Sequence, residues 1–391
     1  MAAEGNRITG DMDGYTLIDY INWRGDLTFD ENPFNIVDNV ILCELSYVDY
    51  TPVLQAGNPE GISFSEAFRR IKELDAFRLL TAGGGDDSLA RKAAESRRFG
   101  SVLLTYWADV FDQDSIQFSA VHFELDPDVS YVAFRGTDSS LIGWKEDFMM
   151  SFRMIPAQEK AVQYLSLSMR QHRKYYIGGH SKGGNLAVYA ASRLSEAARG
   201  RILQIFVNDG PGFSPDVYNT AAMDSLAPII TKLVPVYGII GRLFHMEAAR
   251  RYIVNSFGKG ILQHDMMTWK LKGPEFDCAE RFDNGSEILC NAFTAWVANA
   301  DEEARKAFVD WLFDSLSAGG AVKLGDLGVR DVPDVLKSIL SPSPEAKDVV
   351  IDLPKSVLSE AGRQAQETLL EHLQQLRSQI AKLKRTDSRK K

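Results

Sequence analysis

Five residues near the middle of the chain, Gly179-His180-Ser181-Lys182-Gly183, have the types and spacing of a nucleophilic serine carried on a sharp turn. A serine hydroxyl attacks a carbonyl carbon only when a neighbouring base takes its proton. GxSxG alone is a weak signal because glycine is common. Its context strengthens it. KYYIG precedes the motif and reads as a short strand, and NLAVYAASRL follows it and reads as a helix. Chains that reverse so tightly need small residues on both sides of the serine, and Gly178, Gly179, Gly183 and Gly184 supply them. The turn sets Ser181 at a helix N-terminus, where backbone N–H groups favour negative charge. Without chemistry, the same residues read as a glycine-rich helix start.

A nucleophilic serine also needs donors aimed at the developing oxyanion, and losing one costs about 3 kcal/mol of transition-state stabilisation. The backbone N–H of Lys182 is the first candidate. The second must come from a loop after an earlier strand, and the strand read at 129–135 runs into FRGTDSSLIGWKEDF. Together, AFRGTDS…GW…D and GHSKGG resemble the class 3 (fungal-type) lipases and their bacterial lipase-like relatives. The resemblance covers about residues 115–270. It implies an α/β-hydrolase fold, and it makes Thr137, the residue after Arg-Gly, the second oxyanion donor. Arg135 would anchor the loop, and Trp144 and Asp147 would shape it and the base of a lid.

The base follows the nucleophile in chain order in this fold. Of 6 histidines, only His245, His264 and His372 do so. His264, in GKGILQHDMMTW, sits in a loop beyond the strand RYIVNSF and is the favoured base. His245 follows the apolar stretch GIIGRLF and is the alternative, with a lid as its other home. His372 lies on a charged C-terminal helix. The acid is sought among Glu196, Asp209, Asp216, Asp224 and Glu247. Asp209 directly follows the apolar strand ILQIFVN, where ligands collect at the carboxyl ends of strands. Class 3 lipases usually carry the acid one strand later. The corresponding stretch here, KLVPVYGIIG, holds no carboxylate, and Tyr237 or a neighbour stands in its place. Two readings follow. Either Asp209 is the acid, or it is a turn residue in DGPG and the protein works as a dyad or not at all.

The elements that must position these residues follow from periodicity. Helices are expected at 34–50, 64–80, 158–173 and 185–194. The alternating runs 115–124 and 129–136 form a hairpin, and strands are expected at 175–178, 202–208, 229–234 and 251–256. Strands alternating with helices give a largely parallel sheet with helices on both faces. Residues 1–30 read as polar and loosely wrapped, and 86–97 as a charged connector. Three parts are expected: an N-terminal arm (1–33), an α/β-hydrolase domain (34–300) with a candidate cap at 210–250, and a helical C-terminal region (301–391). The last contains an amphipathic helix at 302–316, a linker at 340–348, a helix at about 355–384 and a basic tail.

Hydrophobic residues make up 45% and charged residues 25% of the 391, with a formal net charge of −9. That balance argues against a broad nucleic-acid surface. The 3 cysteines form neither a CxxC pair nor a disulfide framework, so a reduced, cytoplasmic setting is expected. Neither a signal peptide nor a spanning helix is read. No metal or organic cofactor is expected. The expected substrate is a small-molecule or lipid acyl compound, with a further protein partner or self-association through the C-terminal helix. The alternative is a binding or scaffold module that keeps the fold without the activity.

Overall fold

A computed structural model describes residues 14–291, except 82–85, 113–115, 138–154, 215–216, 219, 285 and 288–289, together with residues 303 and 305–307. Most of the expected helix at 302–316, the linker, the last helix and the tail, with Trp144, Asp147, Asp216 and His372, lie outside the described residues.

Among the described residues, eight strands form one sheet in strict sequence order. They are β1 (Ile62–Ser63), β2 (Leu103–Asp112), β3 (Ile116–Glu124), β4 (Val129–Phe134), β5 (Lys174–His180), β6 (Ile202–Asn208), β7 (Ile230–Pro235) and β8 (Arg250–Val254). β1 to β4 pair antiparallel, and β3 and β4 form the expected hairpin. β4 to β8 pair parallel. Side chains alternate across a strand, so each buried strand feeds two cores. Tyr131 and Ala133 of β4 enter one, while Val132 and Phe134 enter the other.

The first core lies under α1 (Leu17–Arg24), α2 (Ile36–Leu45), α3 (Phe64–Glu73), α4 (Ser88–Glu95) and α5 (Arg97–Gly100). The second lies under α6 (Pro156–Ser168) and α7 (Lys182–Arg193), joined by α8 (Glu196–Arg199) and α9 (Thr220–Leu226). A mostly parallel sheet with helices on both faces and the connecting helices between successive strands is the α/β-hydrolase fold.

Two expectations are corrected. Residues 1–30 are not uniformly loose, because they contain α1. Thr16 and Asp19 form a capping box at its start, and Leu17, Tyr20 and Ile21 are buried in the first core. The charged connector at 86–97 is mostly helix: α4 keeps its charges outward and buries Leu89, Ala90 and Ala93. The stretch 210–250, the candidate cap, buries Phe213, Met223, Leu226 and Met246 in the second core. It supplies β7 to the sheet, and Phe213 and His245 exchange backbone hydrogen bonds within it.

β3 is tied to α6 by a buried imidazole: Nε2 of His122 lies 3.0 Å from the Ser168 hydroxyl. Burial pushes His122 down to about 3, and Arg170 and Arg173 push the same way. The fold thus favours the neutral ring. Its contribution to stability is complete above the unfolded value of about 6.5 and falls away as the pH drops below it. Replacing His122 with Gln should shrink the stability lost between pH 6.5 and pH 5 by about 2 kcal/mol, at ~1.4 kcal/mol per pH unit. Urea titrations at the two pH values check this, and an unchanged difference contradicts it.

Candidate active site

The turn at Ser181 is built by close backbone approach. Ser181 adopts φ 54°, ψ −124°, a region that costs a non-glycine residue about 1–3 kcal/mol. Its N–H donates to the Asn208 carbonyl at 2.9 Å, and its own carbonyl accepts from Gly184 N–H at 3.0 Å. A Cβ on Gly183 would fall 2.0 Å from the Phe134 oxygen, so α7 reaches the end of β4 only with glycine there. Lys182 is the first residue of α7, and a helix N-terminus presents N–H groups and the positive end of its dipole.

The loop after β4 passes beside this turn. A Cβ on Gly136 would lie 2.6 Å from the His180 oxygen and 3.4 Å from Ser181 Cβ. Thr137, the next residue, is buried. Arg135 is buried too, and its Nη2 bonds Asp109 Oδ1 at 2.8 Å.

Asp209 follows β6 directly and is 1% exposed. Its φ of 46° is a left-handed conformation that Asp tolerates better than most residues. The carboxylate is held from two sides. Oδ1 accepts the Gly241 N–H at 2.9 Å, and Oδ2 lies 2.6 Å from His264 Nδ1. A carboxylate accepts, so Nδ1 of His264 carries a proton, and in the neutral ring Nε2 is the acceptor nitrogen. The stretch after β7 therefore has a use without a carboxylate of its own: it closes over Asp209. A Cβ on Gly241 would fall 2.3 Å from Asp209 Oδ1, so that approach requires glycine.

The loop bearing His264 is pinned at several points. The Trp269 indole N–H donates to the Gln263 carbonyl at 2.8 Å, and Gln263 Oε1 accepts the Tyr237 N–H at 2.9 Å. His180 Nε2 lies 2.8 Å from the His264 carbonyl, and the two imidazole centroids are 4.4 Å apart. A carbonyl only accepts, so His180 Nε2 is protonated and Nδ1 accepts from the Tyr47 hydroxyl 3.0 Å away. Burial, with the neighbouring His264 second, holds His180 well below its ordinary value, which suits this neutral bridge.

The structure thus brings Asp209 and His264 together and sets His264 against His180, the neighbour of Ser181. His245 is elsewhere: its side chain is 55% exposed and faces Glu247 Oε1 at 3.6 Å. Asp224 accepts from the Tyr218 hydroxyl at 2.7 Å near the surface. Sequence reasoning missed Tyr47, His180 and Gly241. The His in GHS and the glycine spacing of GIIG were visible, but no local pattern tells which distant atoms they meet. Among the described residues, no three His, Cys, Asp or Glu side chains gather as a metal-binding group. None of the described helices is long and apolar enough to cross a membrane.

A family model described as Mbeg1-like matches residues 93–314, more than half of the chain. The chain belongs to the Mbeg1-like family. This is a lipase-like family, in keeping with the resemblance to class 3 lipases. The solved structure of M37 lipase is similar at 16% identity and TM-score 0.34, over 52% of this chain and 69% of that one. A fungal lipase solved as an inhibitor complex is similar at 14% identity and TM-score 0.31, over 57% and 88%. No curated protein matches the chain. The Mbeg1-like match begins after α2 (Ile36–Leu45), so Tyr47, which holds His180, comes from outside it.

Gly241→Ala should destabilise the protein by about 1–3 kcal/mol, because the added methyl meets the carboxylate in a packed interior. Gly200→Ala, where the nearest atom would be 3.5 Å away, should be neutral or stabilising by about 0.4–1 kcal/mol. Urea midpoints of the two variants check the contrast, and equal losses contradict it.

Proposed function

We propose that this lipase-like protein is a serine hydrolase that cleaves a carboxylic ester or related acyl bond through an acyl-enzyme on Ser181. The observation that carries the reading is the 2.6 Å bond between His264 Nδ1 and Asp209 Oδ2, on a loop that also contacts the residue before Ser181. That bond fixes the tautomer that leaves Nε2 able to take a proton.

In the proposed reaction, His264 Nε2 takes the Ser181 proton as Oγ attacks the carbonyl carbon. The carbonyl oxygen becomes an oxyanion and is held by the N–H groups of Lys182 and Thr137, with the α7 dipole behind them. Asp209 steadies the imidazolium. His264 then protonates the leaving alcohol, and the acyl group stays on Oγ. Water, deprotonated by the same imidazole, attacks the acyl-enzyme and regenerates Ser181. The scaffold alternative drew its support from the missing late acid. In this reading Asp209, one strand earlier, takes that role. The lipase-like family makes small-molecule or lipid acyl esters the substrate class to try first.

A fluorophosphonate probe should label the wild type and fail to label Ser181→Ala. Turnover of p-nitrophenyl esters of rising chain length should fall by about 10⁴ in Asp209→Asn, which favours the wrong tautomer. No labelling of the wild type favours the scaffold, and unchanged turnover in Asp209→Asn removes Asp209 from the mechanism.

A further inference from the structure

One buried ionisable group beside this site has no part in the proposed reaction. Lys232 lies on β7, in register with Val207 of β6 and Arg251 of β8. It is 2% exposed, and lysine is almost never buried so deeply without a partner. Its Nζ donates to the Gly241 carbonyl at 2.8 Å. Gly241 is therefore held at both backbone groups: its carbonyl by Lys232 and its N–H by Asp209 Oδ1 at 2.9 Å.

Burying an amine disfavours its charged form. Burial pushes Lys232 down to about 7, Arg251 pushes the same way, and the Asp209 carboxylate opposes both. An apolar side chain on β7 would avoid this cost. What the amine supplies in return is a fixed Gly241. Without that anchor, the segment after β7 could lift from Asp209, and Oδ1 would lose its donor. A carboxylate with one oxygen released can rotate, and Oδ2 would then turn away from His264.

We propose that Lys232 is a positioning residue for Asp209: by anchoring Gly241 over the carboxylate, it keeps Oδ2 aimed at His264 Nδ1. The proposal rests on reading Ser181, His264 and Asp209 as the catalytic set. It concerns orientation, since Lys232 touches neither substrate nor the reacting atoms.

Lys232→Met keeps the apolar stem out to Cε and removes the donor and the charge. Two readouts are compared with wild type at constant pH, on protein whose circular dichroism shows the native fold. One is the rate of fluorophosphonate labelling at Ser181. The other is the proton resonance of His264 Nδ1, which a bond to a carboxylate moves far downfield and protects from exchange. Labelling should slow by about 10²-fold, the usual effect of misplacing a catalytic group by about 1 Å, and the resonance should be lost or return upfield. Labelling at the wild-type rate with an unchanged resonance overturns the proposal.

If the wild type is not labelled at all, the hydrolase reading fails, and the resonance alone decides. Its presence in wild type and loss in Lys232→Met support the positioning role. An unchanged resonance, or none in the wild type, overturns it. Should Lys232→Met not fold, Lys232→Gln, whose amide nitrogen ends one atom short of Nζ and loosens the hold on Gly241, should label more slowly than wild type and weaken or lose the downfield resonance. Wild-type values for Lys232→Gln overturn the proposal.

Discussion

A buried carboxylate must find donors, and the surroundings of Asp209 are arranged to provide them. The side chain is 1% exposed, so water cannot satisfy it. One oxygen takes the Gly241 N–H and the other faces the His264 imidazole. These two bonds join three separate stretches of chain: the end of β6, the turn after β7 and the loop after β8. The turn after β7 and the loop after β8 carry further ties. Gly241 is bonded by Lys232, His264 by His180 and Gln263 by Trp269. The orientation of one imidazole is thereby set by contacts that span the parallel half of the sheet.

The N-terminal helices take part in the same construction. Asn39 of α2 and Asn208 at the end of β6 bond each other, with Asn39 Nδ2 2.9 Å from Asn208 Oδ1. Tyr131 donates to Asn39 Oδ1 at 2.7 Å. Asn208 in turn accepts the Ser181 N–H through its carbonyl. With Tyr47 on His180, the first helical layer braces the serine turn from beneath. Asn39 and Tyr47 precede the span matched by the Mbeg1-like family model, so part of the turn's support comes from outside that span.

The features written locally in the sequence were the legible ones. The alternation of 115–124 and 129–136, and the strand and helix flanking Ser181, reappear as β3, β4, β5 and α7. Local periodicity and glycine spacing carry that information. α1 and α4 escaped because short helices with polar outer faces look like solvated chain until the sheet that covers them is known. Around the site, the sequence left Asp209 open between acid and turn residue. Its approach to His264, 55 positions away, is the observation that supports the first of these. Tyr47, Lys232 and Gly241 were invisible for the same reason, since their importance lies in atoms brought close by the fold.

In the proposed mechanism the Ser181 hydroxyl, the His264 imidazole and the N–H groups of Lys182 and Thr137 converge on one reacting carbon. A crystal structure of the protein treated with a fluorophosphonate tests this most directly. Phosphorus should be bonded to Ser181 Oγ, with one phosphonyl oxygen about 2.7–3.1 Å from both N–H groups. His264 Nε2 should lie about 2.6–3.2 Å from Ser181 Oγ or from the leaving-group oxygen. Phosphorus on another residue, or a His264 ring turned away with the oxyanion facing solvent, would contradict it.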